Sequence, residues 1–129
     1  MEIDVAPDYE SLSQTAARQV QELIQNALAD QDDVALALSG GGTPRRLYQL
    51  LSEAPLPWSR IHLFWGDERV VPHDHPDSNV RLVRETLLGG ADVPPANVHP
   101  MPTAQSPTDA AAAYEDTLRA AFADRPHTF

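Results

Sequence analysis

The sequence contains no cysteine, which excludes disulfides, thiolate zinc sites, iron–sulfur clusters and cysteine nucleophiles together. It contains no lysine either. All nine basic residues are arginine, set against 19 acidic ones, for a net charge of −10. A P-loop, which needs Gly-Lys-Ser/Thr, is therefore ruled out. So acidic a chain is also poorly suited to nonspecific contact with nucleic acid or an anionic membrane. No apolar run approaches the roughly 20 residues of a membrane span. The N-terminus, Met1-Glu2-Ile3-Asp4-Val5, lacks the basic and apolar regions of a secretory signal. The expectation is a soluble cytoplasmic protein with neither a nucleic-acid nor a membrane partner.

What is present fits a single domain. The chain has 129 residues, 42% of them hydrophobic, within the usual size of roughly 100–200 residues per domain. No repeat or internal boundary divides it. Residues 2–5 read as a short strand. Pro7 and Asp8 then open a helix whose apolar face carries Leu12, Ala16, Val20, Leu23, Ile24, Ala27 and Leu28. Its start lies either at Asp8 or at a capping box formed by Ser11 and Gln14. Val34–Leu38 is a continuous apolar run, predicting a strand buried on both faces.

Ser39-Gly40-Gly41-Gly42 follows, and Thr43-Pro44 predicts a helix start with Thr43 as N-cap and Pro44 at the first helical position. Leu47, Leu50 and Leu51 form that helix's buried stripe, and Pro55 and Pro57 end it. Ile61–Trp65 is a second strand. Ser78 predicts an N-cap for a helix carrying Val80, Val83, Leu87 and Leu88, stopped by Gly89-Gly90. A short strand is expected around 97–101 in a proline-rich stretch, then an alanine-rich helix from Thr108 to about Ala123. Alternating strands and helices imply a parallel α/β sheet. The closing residues His127-Thr128-Phe129 form no polar tail, so the chain is expected to stop within a domain.

Ligands of open α/β sheets bind beyond the carboxyl ends of the strands. Two features map there: residues 39–44 after the strand at 34–38 and residues 66–69 after the strand at 61–65. Successive glycines let several N–H groups converge, and the following helix start favours an anion. That loop fits a phosphate, or else a plain strand-to-helix turn. The dinucleotide fingerprint is broken because Arg45 stands where its third glycine belongs. Asp67, Glu68 and Arg69 can serve proton transfer and anion fixation, or form a surface salt bridge. His73, Asp74, His75 and Asp77 are spaced as a loop interrupted by Pro76, so no metal site is assigned. His62 and His99 read as structural, and Trp58 and Trp65 as packing residues.

The strings LSGGGTPRRLYQLL and PWSRIHLFWGDERVVPHDHPDSNVRLVRETLL closely resemble 6-phosphogluconolactonases in motif, order and spacing. The most specific part is GDERxVPxxxxxSN, here Gly66 to Asn79. Asn97-Val98-His99 and the final helix also resemble the family. The resemblance implies a Rossmann-like α/β parallel-sheet sandwich, incomplete in this chain. It implies hydrolysis of 6-phosphoglucono-δ-lactone to 6-phosphogluconate in the oxidative pentose phosphate pathway, with no cofactor and a sugar-phosphate lactone as the small-molecule partner. By match to the family motif, Gly41, Gly42 and Thr43 would contact the substrate phosphate. Asp67 and Arg69 would line the lactone pocket.

Family members are about twice as long, and their proposed general-base histidine lies in an Asp-Gly-His segment that has no counterpart here. Residues 1–129 therefore read as the N-terminal portion of a single lactonase domain. The base is expected beyond Phe129, and this portion alone is expected to be inactive. Three other readings compete. A glucosamine-6-phosphate deaminase or sugar-phosphate isomerase would typically carry Asp-Glu-Tyr in place of Asp67-Glu68-Arg69. The others are a non-catalytic sugar-phosphate-binding module and a nucleotide-binding α/β domain. Oligomeric state is left open.

Overall fold

The computed structural model describes residues 1–123, so His127 and the closing residues lie outside the described part. Three parallel strands in the order β1-β2-β3 form the centre: β1 (Val34–Leu38), β2 (Ile61–Trp65) and β3 (Val98–His99). β1 pairs with β2 in register from Val34↔Ile61 to Leu38↔Trp65. β3 joins the other side of β2 through Leu63↔Val98 and Phe64↔His99. The period of two sorts the side chains. Leu38, Ile61, Leu63 and Trp65 pack into the main core with helices α1 (Tyr9–Asp30), α2 (Arg45–Ser52) and α3 (Asn79–Thr86). Ala35, Ala37, His62 and Phe64 point to the other face, where α4 (Pro107–Phe122) lies.

Each helix start has a local cause. Asp8 caps α1, its carboxylate accepting from Ser11 N at 2.7 Å, so Ser11 falls inside the first turn. Ser78 caps α3 by accepting from Arg81 N, and Ser106 caps α4 by accepting from Asp109 N, both satisfying a donor the helix itself leaves open. The C-terminus of α1 is closed from a distance. The Arg60 guanidinium donates to the carbonyls of Leu28, Gln31 and Asp32. Leu51, Ile61, Leu63, Val80, Val83 and Leu87 are the most completely buried side chains, each stabilising the fold by about 1.5–3 kcal/mol. Among the described residues no helix is long and apolar enough to cross a membrane.

Several expectations are corrected. Residues 2–5 form no strand, and Ile3 and Val5 are exposed. A lone extended segment without a neighbour to complete its ladder gains nothing from its alternation. The buried line of α1 runs Ser13, Ala17, Ile24, Leu28, leaving Leu12 and Leu23 exposed, because one stripe of a helix cannot take in apolar residues that wrap around it. α2 begins one residue late. Pro44 occupies the cap position with helical torsions and no side-chain cap bond, so Thr43 is not the N-cap. The helix expected to carry Leu87 and Leu88 ends at Thr86. The strand around 97–101 shrinks to two residues, since Pro100 and Pro102 have no N–H to donate.

β1 is buried on one face only. Ala37 is exposed and Ala35 half-buried, because a groove separates α4 from this face of the sheet. That groove is lined by Ala35, Ala37, Phe64, Met101, Leu118 and Phe122. α4 is held by Tyr114, whose hydroxyl accepts from Trp65 N at 2.8 Å and donates to the His99 carbonyl at 2.9 Å.

Candidate functional site

The last residues of β1 and β2, Leu38 and Trp65, are register partners, and Gly66 N donates to the Leu38 carbonyl at 2.9 Å. The glycine-rich loop and the Asp67-Glu68-Arg69 turn therefore leave the sheet side by side at its carboxyl edge, as the parallel order required. The three loop glycines answer to different constraints. A Cβ on Gly40 would lie 1.8 Å from Asn79 Oδ1. Gly41 sits at φ +91°, in the left-handed region that side chains avoid. Gly42 faces open space.

Among the described residues, no hydrogen bond occupies the N–H of Gly40, Gly41, Gly42 or Thr43. Four successive donors thus stand open at a strand end, next to a helix start. The loop is held by its other groups. Tyr48, buried in α2, donates its hydroxyl to the Ser39 carbonyl at 2.7 Å and accepts from Ser39 N at 3.0 Å. Burial raises the Tyr48 phenol above its ordinary value, the Ser39 hydrogen bonds opposing it only in part, so it stays protonated. Tyr9 reaches the loop from α1. Its hydroxyl lies 3.0 Å from both the Gly42 and Thr43 carbonyls and accepts from Arg46 N at 3.2 Å.

The two arginines after the loop differ. Arg46 makes a two-pronged contact with Glu10, at 2.8 and 3.0 Å. That hydrogen bonding raises the guanidinium and lowers the Glu10 carboxyl. Arg45 meets Glu85 only at 3.9 Å and remains largely open.

The acid–guanidinium turn divides by role. Partial burial would raise the Glu68 carboxyl, but backbone N–H groups of Asn79, Arg69 and Val80, with the Ser78 hydroxyl, overcome it and hold it below the ordinary glutamate value. Those four donors lie 2.7–2.9 Å away. Glu68 is thus committed to the N-terminus of α3. Asp67 and Arg69 are exposed, and among the described residues neither side chain has a hydrogen-bond or ion-pair partner. They do not form the surface salt bridge that their spacing also allowed. Two open side chains of opposite charge therefore stand beside four open backbone donors.

The histidines are engaged elsewhere. His73 Nε2 meets the Met101 carbonyl at 2.7 Å, and His75 Nδ1 accepts from Asp77 N at 3.1 Å. Among the described residues no three metal-ligating side chains converge. His62 and His99 meet at 3.0 Å on the α4 side of the sheet, with His99 stacked on Phe64. Burial, and then the neighbouring His62, lower His99 below the ordinary histidine value. Trp58 and Trp65 are core residues. Sequence reading did not single out Tyr9, the cap formed by Glu68, or the Asn79 side chain. Glu68 and Asn79 both lie in the GDERxVPxxxxxSN motif, but the motif by itself assigned neither a role.

This is an α/β protein that presents a glycine-rich loop with unpaired N–H groups and a charged turn at adjacent strand ends. The chain belongs to the family described as glucosamine-6-phosphate isomerases/6-phosphogluconolactonase, whose pattern matches residues 7–129. The 6-phosphogluconolactonase of Synechocystis sp. is 45% identical over 122 residues, covering 94% of this chain and 51% of that protein. The crystal structure of 6-phosphogluconolactonase from Thermotoga maritima superposes with a TM-score of 0.82 at 35% identity, covering 84% of this chain and 50% of that one. That from Trypanosoma cruzi gives 0.84 at 29% identity, covering 98% and 52%. The chain spans about half the length of the curated relatives it matches.

Proposed function

We propose that this chain carries the phosphate-binding and lactone-facing edge of a 6-phosphogluconolactonase. The substrate would be 6-phosphoglucono-δ-lactone, in the oxidative pentose phosphate pathway of the cytoplasm. The observation that supports this is the juxtaposition of four open N–H groups at Gly40–Thr43 with the unpaired side chains of Asp67 and Arg69. On this reading Gly41, Gly42 and Thr43 hold the phosphate, aided by the partial positive charge at the start of α2. Asp67 and Arg69 line the lactone pocket, and Arg69 fixes anionic groups or polarises the ester. A general base takes a proton from water, water attacks the lactone carbonyl, and donors stabilise the oxyanion. The hydrolysis needs no cofactor. No histidine among the described residues is assigned the base. Residues 1–129 are read as one portion of a single domain without internal boundary.

Titration with 6-phosphogluconate, with glucosamine 6-phosphate as comparison, tests the reading. Saturable binding of 6-phosphogluconate that shifts the amide resonances of Gly41, Gly42 and Thr43 is expected. Preference for glucosamine 6-phosphate, with release of ammonia, transfers the site to the deaminase side of the family. Absence of binding to either compound removes the sugar-phosphate reading. A lactone-hydrolysis assay on the same protein separates a binding edge from a working catalyst.

A further inference from the structure

Asn79 opens α3 and is 4% exposed, yet its carboxamide serves both edge loops. Its Nδ2 donates to the Asp67 carbonyl at 3.0 Å. Its Oδ1 stands 1.8 Å from the point where a Cβ on Gly40 would be, so the amide fills the space that the missing side chain leaves. Its backbone N–H donates to Glu68 at 2.7 Å, and the same carboxylate accepts from Arg69 N at 2.8 Å. The chain of contacts therefore runs from the glycine-rich loop through Asn79 to Asp67, and from Asn79 through Glu68 to Arg69. Neither residue offers an anion anything. Glu68 is negative and already accepts from four donors, and Asn79 is buried with its amide donating to backbone.

We infer that Asn79 and Glu68 are positioning residues: they fix the separation between the open N–H groups of Gly40–Thr43 and the side chains of Asp67 and Arg69. The inference rests on the reading of this edge as a sugar-phosphate site. A ligand that spans both loops needs that separation. A bare phosphate, which engages the glycine-rich loop alone, does not, because the loop's own shape is held by Tyr9, Tyr48 and the backbone of Gly41.

The test compares 6-phosphogluconate with inorganic phosphate on the 129-residue chain. Asn79→Ala should weaken 6-phosphogluconate by roughly 10–100-fold, the scale of a misplacement near 1 Å, and change phosphate by less than about twofold. A variant that had merely loosened the fold would weaken both alike. Gly40→Ala should reproduce the loss by displacing the carboxamide, and the double variant should be no worse than either single one. Losses that add, or an Asn79→Ala chain that binds 6-phosphogluconate normally, overturn the inference.

A ligand-free arm keeps the two readings apart. Asn79→Ala and the isosteric Glu68→Gln should both shift the amide resonances of Gly40 and Gly41, with those of α1 unmoved beyond Tyr9. If the unaltered chain binds neither probe, the sugar-phosphate reading fails, and the coupling of the loops stands or falls on those shifts: moved resonances support it, unmoved ones refute it.

Discussion

The Tyr9 hydroxyl and the Gly42 carbonyl meet at 3.0 Å across 33 positions of sequence. The first residue of the first helix thus braces the last glycine of the loop. Tyr9→Phe removes the brace and keeps the ring. Because the site is exposed, the carbonyls and Arg46 N turn to water, and the expected loss of stability is about 0.5–1 kcal/mol. Urea unfolding measures it, and faster amide exchange at Gly42 and Thr43 should accompany it.

The adjacent glycines should separate folding from binding. Gly41→Ala places a side chain at φ +91° and should cost about 1–2 kcal/mol. Gly42→Ala meets nothing within 4 Å, so stability should stay within about 0.5 kcal/mol. Its methyl group would stand among the open donors, so phosphate affinity should still fall. Thermal unfolding and phosphate titration on both variants check the contrast.

Arg69 offers the same separation by charge. Its guanidinium has no partner among the described residues, so Arg69→Gln should leave stability within about 0.5 kcal/mol. Loss of a charge-assisted hydrogen bond, worth about 1.5–3 kcal/mol, should weaken 6-phosphogluconate by roughly tenfold or more. Calorimetric titration beside a denaturation curve reads both. Equal affinity in the two proteins would take Arg69 out of the site.

Glu68 should make part of the stability sensitive to acid. Its carboxyl is lower in the folded chain than the ordinary 4.5, so the unfolded chain takes up the proton first as pH falls. Its contribution is whole above about 4.5 and is lost as pH drops through the lower folded value. Asp8, Glu10 and Glu85 are lowered too, so the difference between the native chain and Glu68→Gln isolates the one group. Glu68→Gln should be less stable near neutrality by about 1–3 kcal/mol and should lose less on acidification. Parallel denaturation curves from neutral pH down to below 4.5 test it.

The parts of this architecture visible in the sequence are those set by neighbours along the chain. Val34–Leu38 and Ile61–Trp65 are apolar runs bounded by turns, and both are strands with the expected limits. Asp8 and Ser78 announce their helices because a cap bonds two or three residues onward. Parallel pairing then puts residues 39–44 and 66–69 at one edge. Contacts without a local signal were not legible. Tyr9 bracing Gly42 and Asn79 filling the space at Gly40 depend on how distant elements come to rest. The open face of β1 escaped for the opposite reason: Val34–Leu38 reads alike whether one face is covered or two. Residues 2–5 show the converse error, a pattern suited to a strand at a place where, among the described residues, no partner strand lies.

Tyr114 has a consequence for the sheet beyond holding α4. β3 pairs with β2 through only two residue pairs, too short a ladder to choose firmly among alignments. A slip by two residues would keep every side chain on its face and carry the His99 carbonyl about 6.6 Å along the strand. The Tyr114 oxygen forbids it, because one atom must satisfy Trp65 N and the His99 carbonyl together. The phenol is therefore a gauge block between two strands. The length of one side chain on α4 sets how far β3 runs.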